Sequence, residues 1–263
     1  MDSHLAGQRC LITGGTSGIG LGIARALAGE GVRLILAACD EHPEDLRSLR
    51  AAGAEVCFLP VDLSTEAAAV DMARQALGHW GGLDLFVNNA ARAFHEPVTG
   101  LSRQAFEATL NTNLAPCLWV GREIARHMVS RRSGSILIVG STVEVVPAYR
   151  EAAYRISKTG LRVYMETLAI ELAPFGIRVN MLMPGFFQTR LTAAMDDHQR
   201  DKLLREIPLR RPGNTEDCGQ AAAFLLSSRL SPYTTGAVLR VDGGLGLRPL
   251  PLLEDGDIAK LNG

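Results

Sequence analysis

The sequence predicts an α/β fold: a doubly wound parallel sheet of about seven strands with helices on both faces, in a single domain over 1–263. Three observations predict it. Short β-rich apolar runs alternate with longer stretches of helical spacing along the chain, and that alternation builds a parallel sheet covered on both sides. A glycine-rich turn follows the first apolar run directly. The 263 residues are enough for one large core, and no internal repeat, low-complexity segment or dividing linker interrupts them.

The elements follow in order. Residues 9–13 (RCLIT) form the first strand, 14–20 the glycine-rich turn, and 21–29 the first helical spacing. Strands follow at 33–37, 56–61, 83–88, 135–140, 178–183 and 238–241. Helical stretches lie near 65–79, 102–130, 152–174 and 215–228. Residues 188–212 are polar, carry Asp196, Asp197 and several arginines, and interrupt the alternation. Near the carboxyl edge of a sheet, such a segment predicts a substrate lid. The tail at 245–263 has two prolines and six leucines. It either docks on the body or a neighbouring subunit, or is a loosely held terminus.

Composition narrows the function. At 47% hydrophobic and 21% charged, the chain reads as an ordinary soluble globular protein. A net charge of -1 argues against coating nucleic acid or an anionic membrane. No apolar run approaches the roughly 18 residues of a membrane span, and the first residues lack the apolar core of a signal peptide. The five cysteines are odd in number and scattered, without CxxC. They suggest neither a metal site nor a disulfide framework, but free thiols in a reducing cytoplasm.

The turn Gly14-Gly15-Thr16-Ser17-Gly18-Ile19-Gly20 joins a strand to a helix. Glycines let the backbone approach a pyrophosphate, and the helix N-terminus offers free N–H groups and a positive dipole end. That points to a Rossmann-type nucleotide site. Further on, Tyr154 and Lys158 stand four residues apart on a helix and share a face. A phenol with an ordinary pKa near ~10 is a poor base at neutral pH. A neighbouring ammonium favours the phenolate, so the pair can take a proton from an alcohol or give one to a carbonyl. Ser141 ends a strand thirteen positions before Tyr154.

TGxxxGxG at residues 13–20, YxxxK at 154–158 and Ser141 at that distance resemble the short-chain dehydrogenase/reductase family, and the likeness runs from about Leu5 to Gly244. The resemblance implies a nicotinamide-dependent oxidoreductase with a catalytic tetrad of Asn113, Ser141, Tyr154 and Lys158. In that set Ser141 polarises the reacting oxygen and Lys158 also bonds the nicotinamide ribose. Asn113 distorts its helix and holds a relay water, with Asn111 the neighbouring candidate. Asp62, beside Leu63, would bind the adenine amino group. Asn88-Asn89-Ala90-Ala91 resembles the family's NNAG, with Ala91 in place of glycine; Asn89 would stabilise the sheet and, with Ala90, line the cofactor cleft. Pro184-Gly185-Phe186-Phe187-Gln188-Thr189 resembles PGxxxT, so that the Phe187 backbone would bind the carboxamide and Thr189 would support it.

The cofactor is NAD or NADP. The position that usually decides is Ala38, and its neighbours Cys39 and Ser17 carry neither the acid of NAD-preferring members nor the base of NADP-preferring ones. Asp40 and Glu41 disfavour a 2′-phosphate, while Ala38 and Cys39 leave it room.

The substrate is a small alcohol or carbonyl compound. Glu144 and His95, with Tyr149 and Arg92 nearby, could bond the hydroxyls of a sugar or polyol, or simply face water. Arg150 and Glu151 read as a surface pair. The framework is nearest to glucose dehydrogenase-like and 3-oxoacyl carrier-protein reductase-like members. A carrier-protein reductase would want a basic docking face, for which Arg103, Arg122 and Arg126 are the candidates. The alternative of another class is a dinucleotide-binding sensor or scaffold without turnover; such proteins usually lose the tyrosine or the lysine. Apolar residues spread over more than one face of 152–174 (Leu161, Val163, Leu168, Ile170, Leu172) predict a homotetramer, with a dimer next.

Overall fold

The computed structural model describes residues 3–189, 192 and 195–247. Seven strands form one sheet in the order β3-β2-β1-β4-β5-β6-β7, every pair parallel. They are β1 (Arg9–Thr13), β2 (Arg33–Ala38), β3 (Val56–Pro60), β4 (Leu85–Asn88), β5 (Gly134–Val139), β6 (Ile177–Pro184) and β7 (Val238–Val241). The helices are α1 (Gly18–Gly29), α2 (Pro43–Ala51), α3 (Glu66–Gly78), α4 (Arg103–Asn113), α5 (Ala115–Arg131), α6 (Ala152–Leu172), α7 (Asp197–Glu206) and α8 (Thr215–Leu226).

Alternation along each strand separates two cores. On β1, Leu11 enters the core under α3, α5 and α6, whereas Cys10 and Ile12 enter the core under α1 and α8. Ile136 and Ile138 on β5 do the same against Leu137 and Val139. Residues two apart on a strand share a face, so strands buried on both faces read as continuous apolar runs. The chain winds outward from β1 through β2 to β3, then returns to place β4 on the other side of β1. Strand order reverses there, and the divergence of the flanking loops opens a crevice at the strand carboxyl ends.

The structure corrects several sequence expectations. The single helical stretch over 102–130 is two helices. α4 stops at Asn113, and α5 restarts at Ala115 with Pro116 in its first turn, where a missing N–H costs nothing. The helix α2 was not expected: it is short and charged, and buries only Leu46 and Leu49. Within 188–212, α7 is helical. Asp196 caps it by accepting the Gln199 N–H at 2.7 Å, a capping box that stabilises a helix end without an apolar stripe. α1 begins at Gly18, inside the glycine turn rather than after it. At the start of the tail, Leu245 is buried beside Phe186 and Ile207; residues 248–263 lie outside the described residues. Among the described residues, no helix is long and apolar enough to cross a membrane.

Candidate active site

The site assembles where β1, β4, β5 and β6 end. After β1 the backbone turns sharply at Gly14 (φ +63), where a side chain would meet the Asn89 amide nitrogen at 2.9 Å. Gly20 approaches closer still: a Cβ there would lie 2.2 Å from the Gly14 carbonyl oxygen. Thr13 accepts the Asn89 and Ala90 N–H groups on its hydroxyl at 3.0 and 3.2 Å, and the Asn89 amide donates to the Thr13 and Gly14 carbonyls at 3.0 Å each. The end of β4 thus clamps the turn in place.

Ser17 caps α1 in extended conformation without a side-chain hydrogen bond to the helix. The first-turn N–H groups are therefore left to an external acceptor. This bare helix end, set against a turn too tight for side chains, fits the pyrophosphate of a dinucleotide. Thr16 is buried and donates its hydroxyl to the Asp40 carbonyl at 3.1 Å, tying the turn to the end of β2. There Ala38 is half-buried and Cys39 exposed. Asp62 is exposed and accepts the Ser64 N–H at 2.9 Å, while Leu63 is buried beside it.

Past β6, Pro184 is buried and Gly185 half-buried. The Phe187 ring packs against Gly213, whose Cβ position would lie 2.3 Å from it. Thr192 donates its hydroxyl to the Phe187 carbonyl at 2.9 Å and accepts the Thr189 N–H at 3.0 Å. Thr189 stands over the turn, its Cγ2 3.4 Å from a Cβ position at Gly18.

Tyr154 and Lys158 project from the first turns of α6. Lys158 is 2 % exposed and donates its ammonium to the Val139 carbonyl, the last of β5, at 2.9 Å. Its nitrogen lies 5.7 Å from the centre of the Tyr154 ring, and Ser141 stands near enough to pull the Tyr154 phenol down. Burial pulls the Lys158 ammonium down to about 8, against the nearby Glu144 charge, which holds it up. Tyr154 departs from the expectation of a lowered phenol. Burial pushes it above its ordinary range, and the carboxylates of Glu151 and Glu144 add to that, so Ser141 pulls it down only in part. Desolvation thus outweighs the influence of Ser141 and favours the protonated phenol.

Asn113 and Asn111 are told apart. Asn111 is exposed. Asn113 is 1 % exposed and closes a two-way bond to Arg92, accepting its N–H at 2.7 Å and donating to its carbonyl at 2.9 Å; it also donates to Ser157 at 3.0 Å. It sits where α4 gives way to α5.

The expected substrate residues separate too. His95 flanks the site with Nδ1 3.5 Å from Glu151 Oε1, so Glu151 faces inward and does not pair with Arg150 on the surface. The Glu144 side chain is only 1 % exposed and turns back beneath the serine turn, accepting the Ser141 N–H at 3.1 Å, rather than facing water. Its burial follows from the turn at 142–144, which the sequence does not announce. Thr13 and Ser157 escaped the sequence reading as site residues, and Glu151 was read as part of a surface pair. Only Thr13 carried a signal, as the residue that opens the glycine motif.

A family model described as Enoyl-(Acyl carrier protein) reductase matches residues 14–246. The 3-oxoacyl-(acyl-carrier-protein) reductase FabG of Chlamydia pneumoniae is 35% identical over 247 residues, covering 93% of this chain and 99% of that protein. A crystal structure from Sinorhizobium meliloti 1021, described as a short-chain alcohol dehydrogenase, is 32% identical with a TM-score of 0.88, covering 95% of this chain and 100% of that one. The chain belongs to the short-chain dehydrogenase/reductase family.

This short-chain dehydrogenase/reductase is an NAD(P)-dependent enzyme that transfers a hydride to or from a secondary alcohol or carbonyl carbon. A gluconate 5-dehydrogenase from Burkholderia cenocepacia J2315, solved with NADP and tartrate, is 30% identical with a TM-score of 0.86, covering 93% of this chain and 97% of that one.

Proposed function

We propose that Tyr154 exchanges the proton with the substrate oxygen, that Ser141 orients that oxygen, that Lys158 holds the cofactor ribose and the tyrosine's field, and that Asn113 keeps the helix break that shapes the cleft. One observation carries this reading: the buried Lys158 lies 5.7 Å from the Tyr154 ring and is held on the Val139 carbonyl, two residues before Ser141. When bound, the nicotinamide supplies or accepts the hydride. The turn at Gly14, Thr16, Ser17, Gly18, Ile19 and Gly20 would hold the pyrophosphate. Ala38, Cys39, Asp62 and Leu63 would face the adenosine. Asn89, Ala90, Pro184, Gly185, Phe187 and Thr189 would line the nicotinamide end. Segment 188–212 acts as the lid, a reading supported by Thr189 standing over Gly18.

The substrate is a free hydroxyl-bearing small molecule. His95 beside the site, and the ion pairs of the three arginines that carrier docking would use, support this. Arg122 pairs with Glu66 and Glu123, Arg126 with Glu123, and Arg103 with Glu107, so the three arginines proposed for carrier docking are neutralised by neighbours. The second reading, 3-oxoacyl thioester reduction, is favoured by the curated relatives of that name. Five unpaired thiols support a reducing cytoplasm as its compartment. Ile156, Val163 and Ile170 recur every seven residues on α6 and stand 51, 57 and 77 % exposed, while Leu161, Leu168 and Leu172 fill the core. That stripe supports a homo-oligomer, a tetramer before a dimer.

A panel of polyols, secondary alcohols, ketones and acetoacetyl thioesters, each with NAD(H) and NADP(H), identifies the substrate and the cofactor together. On the active substrate, Tyr154→Phe should cost at least ~100-fold in kcat and leave cofactor affinity unchanged by fluorescence titration. Near-normal turnover in that variant would overturn the reading.

A further inference from the structure

We propose that Glu144, gripped by Arg162, is a positioning residue for this site: its carboxylate sets the Ser141 backbone and serves as the counter-ion of Lys158. The inference rests on the tetrad reading above, but its geometry is independent of the substrate.

After β5 the chain passes Gly140 and Ser141 into a single turn at 142–144. The turn folds back on itself. Ser141 donates its N–H to Glu144 Oε1 at 3.1 Å, Glu144 donates its own N–H to the Ser141 carbonyl at 3.1 Å, and the Ser141 hydroxyl accepts the Val143 N–H at 3.4 Å. Gly140 makes the room, since a Cβ there would lie 2.5 Å from Glu144 Oε1. Arg155 donates to the Glu144 carbonyl at 3.3 Å, which ties the turn to α6 one residue beyond Tyr154.

The other carboxylate oxygen explains Arg162. Glu144 Oε2 and Arg162 Nε are both buried, both lack a hydrogen-bond partner, and face each other at 3.5 Å. A carboxylate this deep keeps its charge only if cations and N–H groups offset its lost hydration. Here burial pushes the Glu144 carboxyl up, while the Ser141 N–H, Arg162 and Lys158 pull it down and Glu166, one turn beyond Arg162, pushes it up again. The relation is reciprocal: Glu144 supports the Lys158 ammonium against burial. Removing the charge therefore weakens the lysine as a cation, and removing the acceptor frees the serine turn.

The chain has three lysines, Lys158, Lys202 and Lys260, so an NMR titration of Nζ-labelled protein follows Lys158 directly once Lys158→Arg identifies its signal. Glu144→Gln keeps an acceptor for the Ser141 N–H and loses only the charge. It should lower the Lys158 midpoint by about one pH unit. On the active substrate it should lower kcat about tenfold with little change in KM. Arg162→Met should also lower kcat, and Arg162→Lys should restore most of it.

An unmoved Lys158 midpoint in Glu144→Gln, or a kcat untouched by both Glu144→Gln and Arg162→Met, overturns the inference. Should Glu144→Gln fail to fold, the part-exposed Arg162 pair carries the test by its loss and rescue. Failure of the tetrad reading looks different: Tyr154→Phe would then keep its turnover while the Lys158 midpoint still responded to Glu144.

Discussion

At the scale of single residues, the site depends on atoms that are absent as much as on those present. Gly20 has no side chain because the Gly14 carbonyl would stand 2.2 Å from it. Real Cβ atoms do not come that close, so Gly20→Ala must push the turn out of place. Cofactor affinity should fall at least tenfold, roughly 1.4 kcal/mol, by fluorescence titration, while the far-ultraviolet circular dichroism keeps its shape. Binding within twofold of the parent would show that the turn does not hold the dinucleotide. The glycines and the shared face of Tyr154 and Lys158 were legible from the strand–turn–helix frame and the helical repeat, and Ser141 from its spacing in the family the chain resembles. Glu144 was legible as a candidate to bond a substrate hydroxyl or face water, but its burial was not. Its role depends on a turn that pulls its side chain beneath the serine, and nothing in the local residues STVE states which way that side chain goes.

At the scale of elements, one ion cluster ties the starts of two strands to a helix end. Asp84 stands before β4 and takes two bonds from Arg9 at the start of β1, both at 2.8 Å, with Arg131 at the end of α5 2.9 Å away. Burial alone would push the Asp84 carboxyl up. The Arg9 hydrogen bonds and the charges of Arg9 and Arg131 outweigh it and hold the group at about 2. A depressed carboxyl stabilises the fold above its unfolded pKa and loses that contribution as pH falls towards the folded value. Asp84 should therefore contribute about 2 kcal/mol at pH 7, lost between roughly pH 4 and pH 2. Urea denaturation of Asp84→Asn should show a lower stability at pH 7 and a shallower decline across that window. An equally steep decline in the variant would assign the acid sensitivity elsewhere. The elements that sequence patterns missed share one trait. α2 and α7 bury too little apolar surface to show a stripe, and α7 buries no side chain that the structure assigns. The break between α4 and α5 was masked because apolar spacing continues across it; only the position of Pro116 hinted at a new helix start.

At the scale of the whole molecule, the parallel sheet and its reversal between β1 and β4 draw the glycine turn, the serine turn and the tyrosine helix to one crevice. The same arrangement leaves the stripe of Ile156, Val163 and Ile170 facing outward. Multi-angle light scattering should report a homotetramer at micromolar concentration, and Val163→Asp with Ile170→Asp should reduce the mass while keeping the secondary structure, since both side chains lie outside the core. An unchanged mass would place the interface on another face.

By itself the sequence determined the α/β class and the order of the strands along the chain, because local periodicity encodes both; its likeness to the family pointed to the nucleotide turn and to Tyr154 as the proposed proton-transfer group. Only the tertiary structure decided the rest. It buried Asn113 and left Asn111 exposed, turned Glu144 away from solvent and toward Arg162, set Glu151 beside His95, and brought Glu66 of α3 to Arg122 of α5. Those outcomes depend on charges and hydrogen bonds between segments far apart in the chain. Their energies are set by the distance and burial that folding imposes, which residue type alone does not carry.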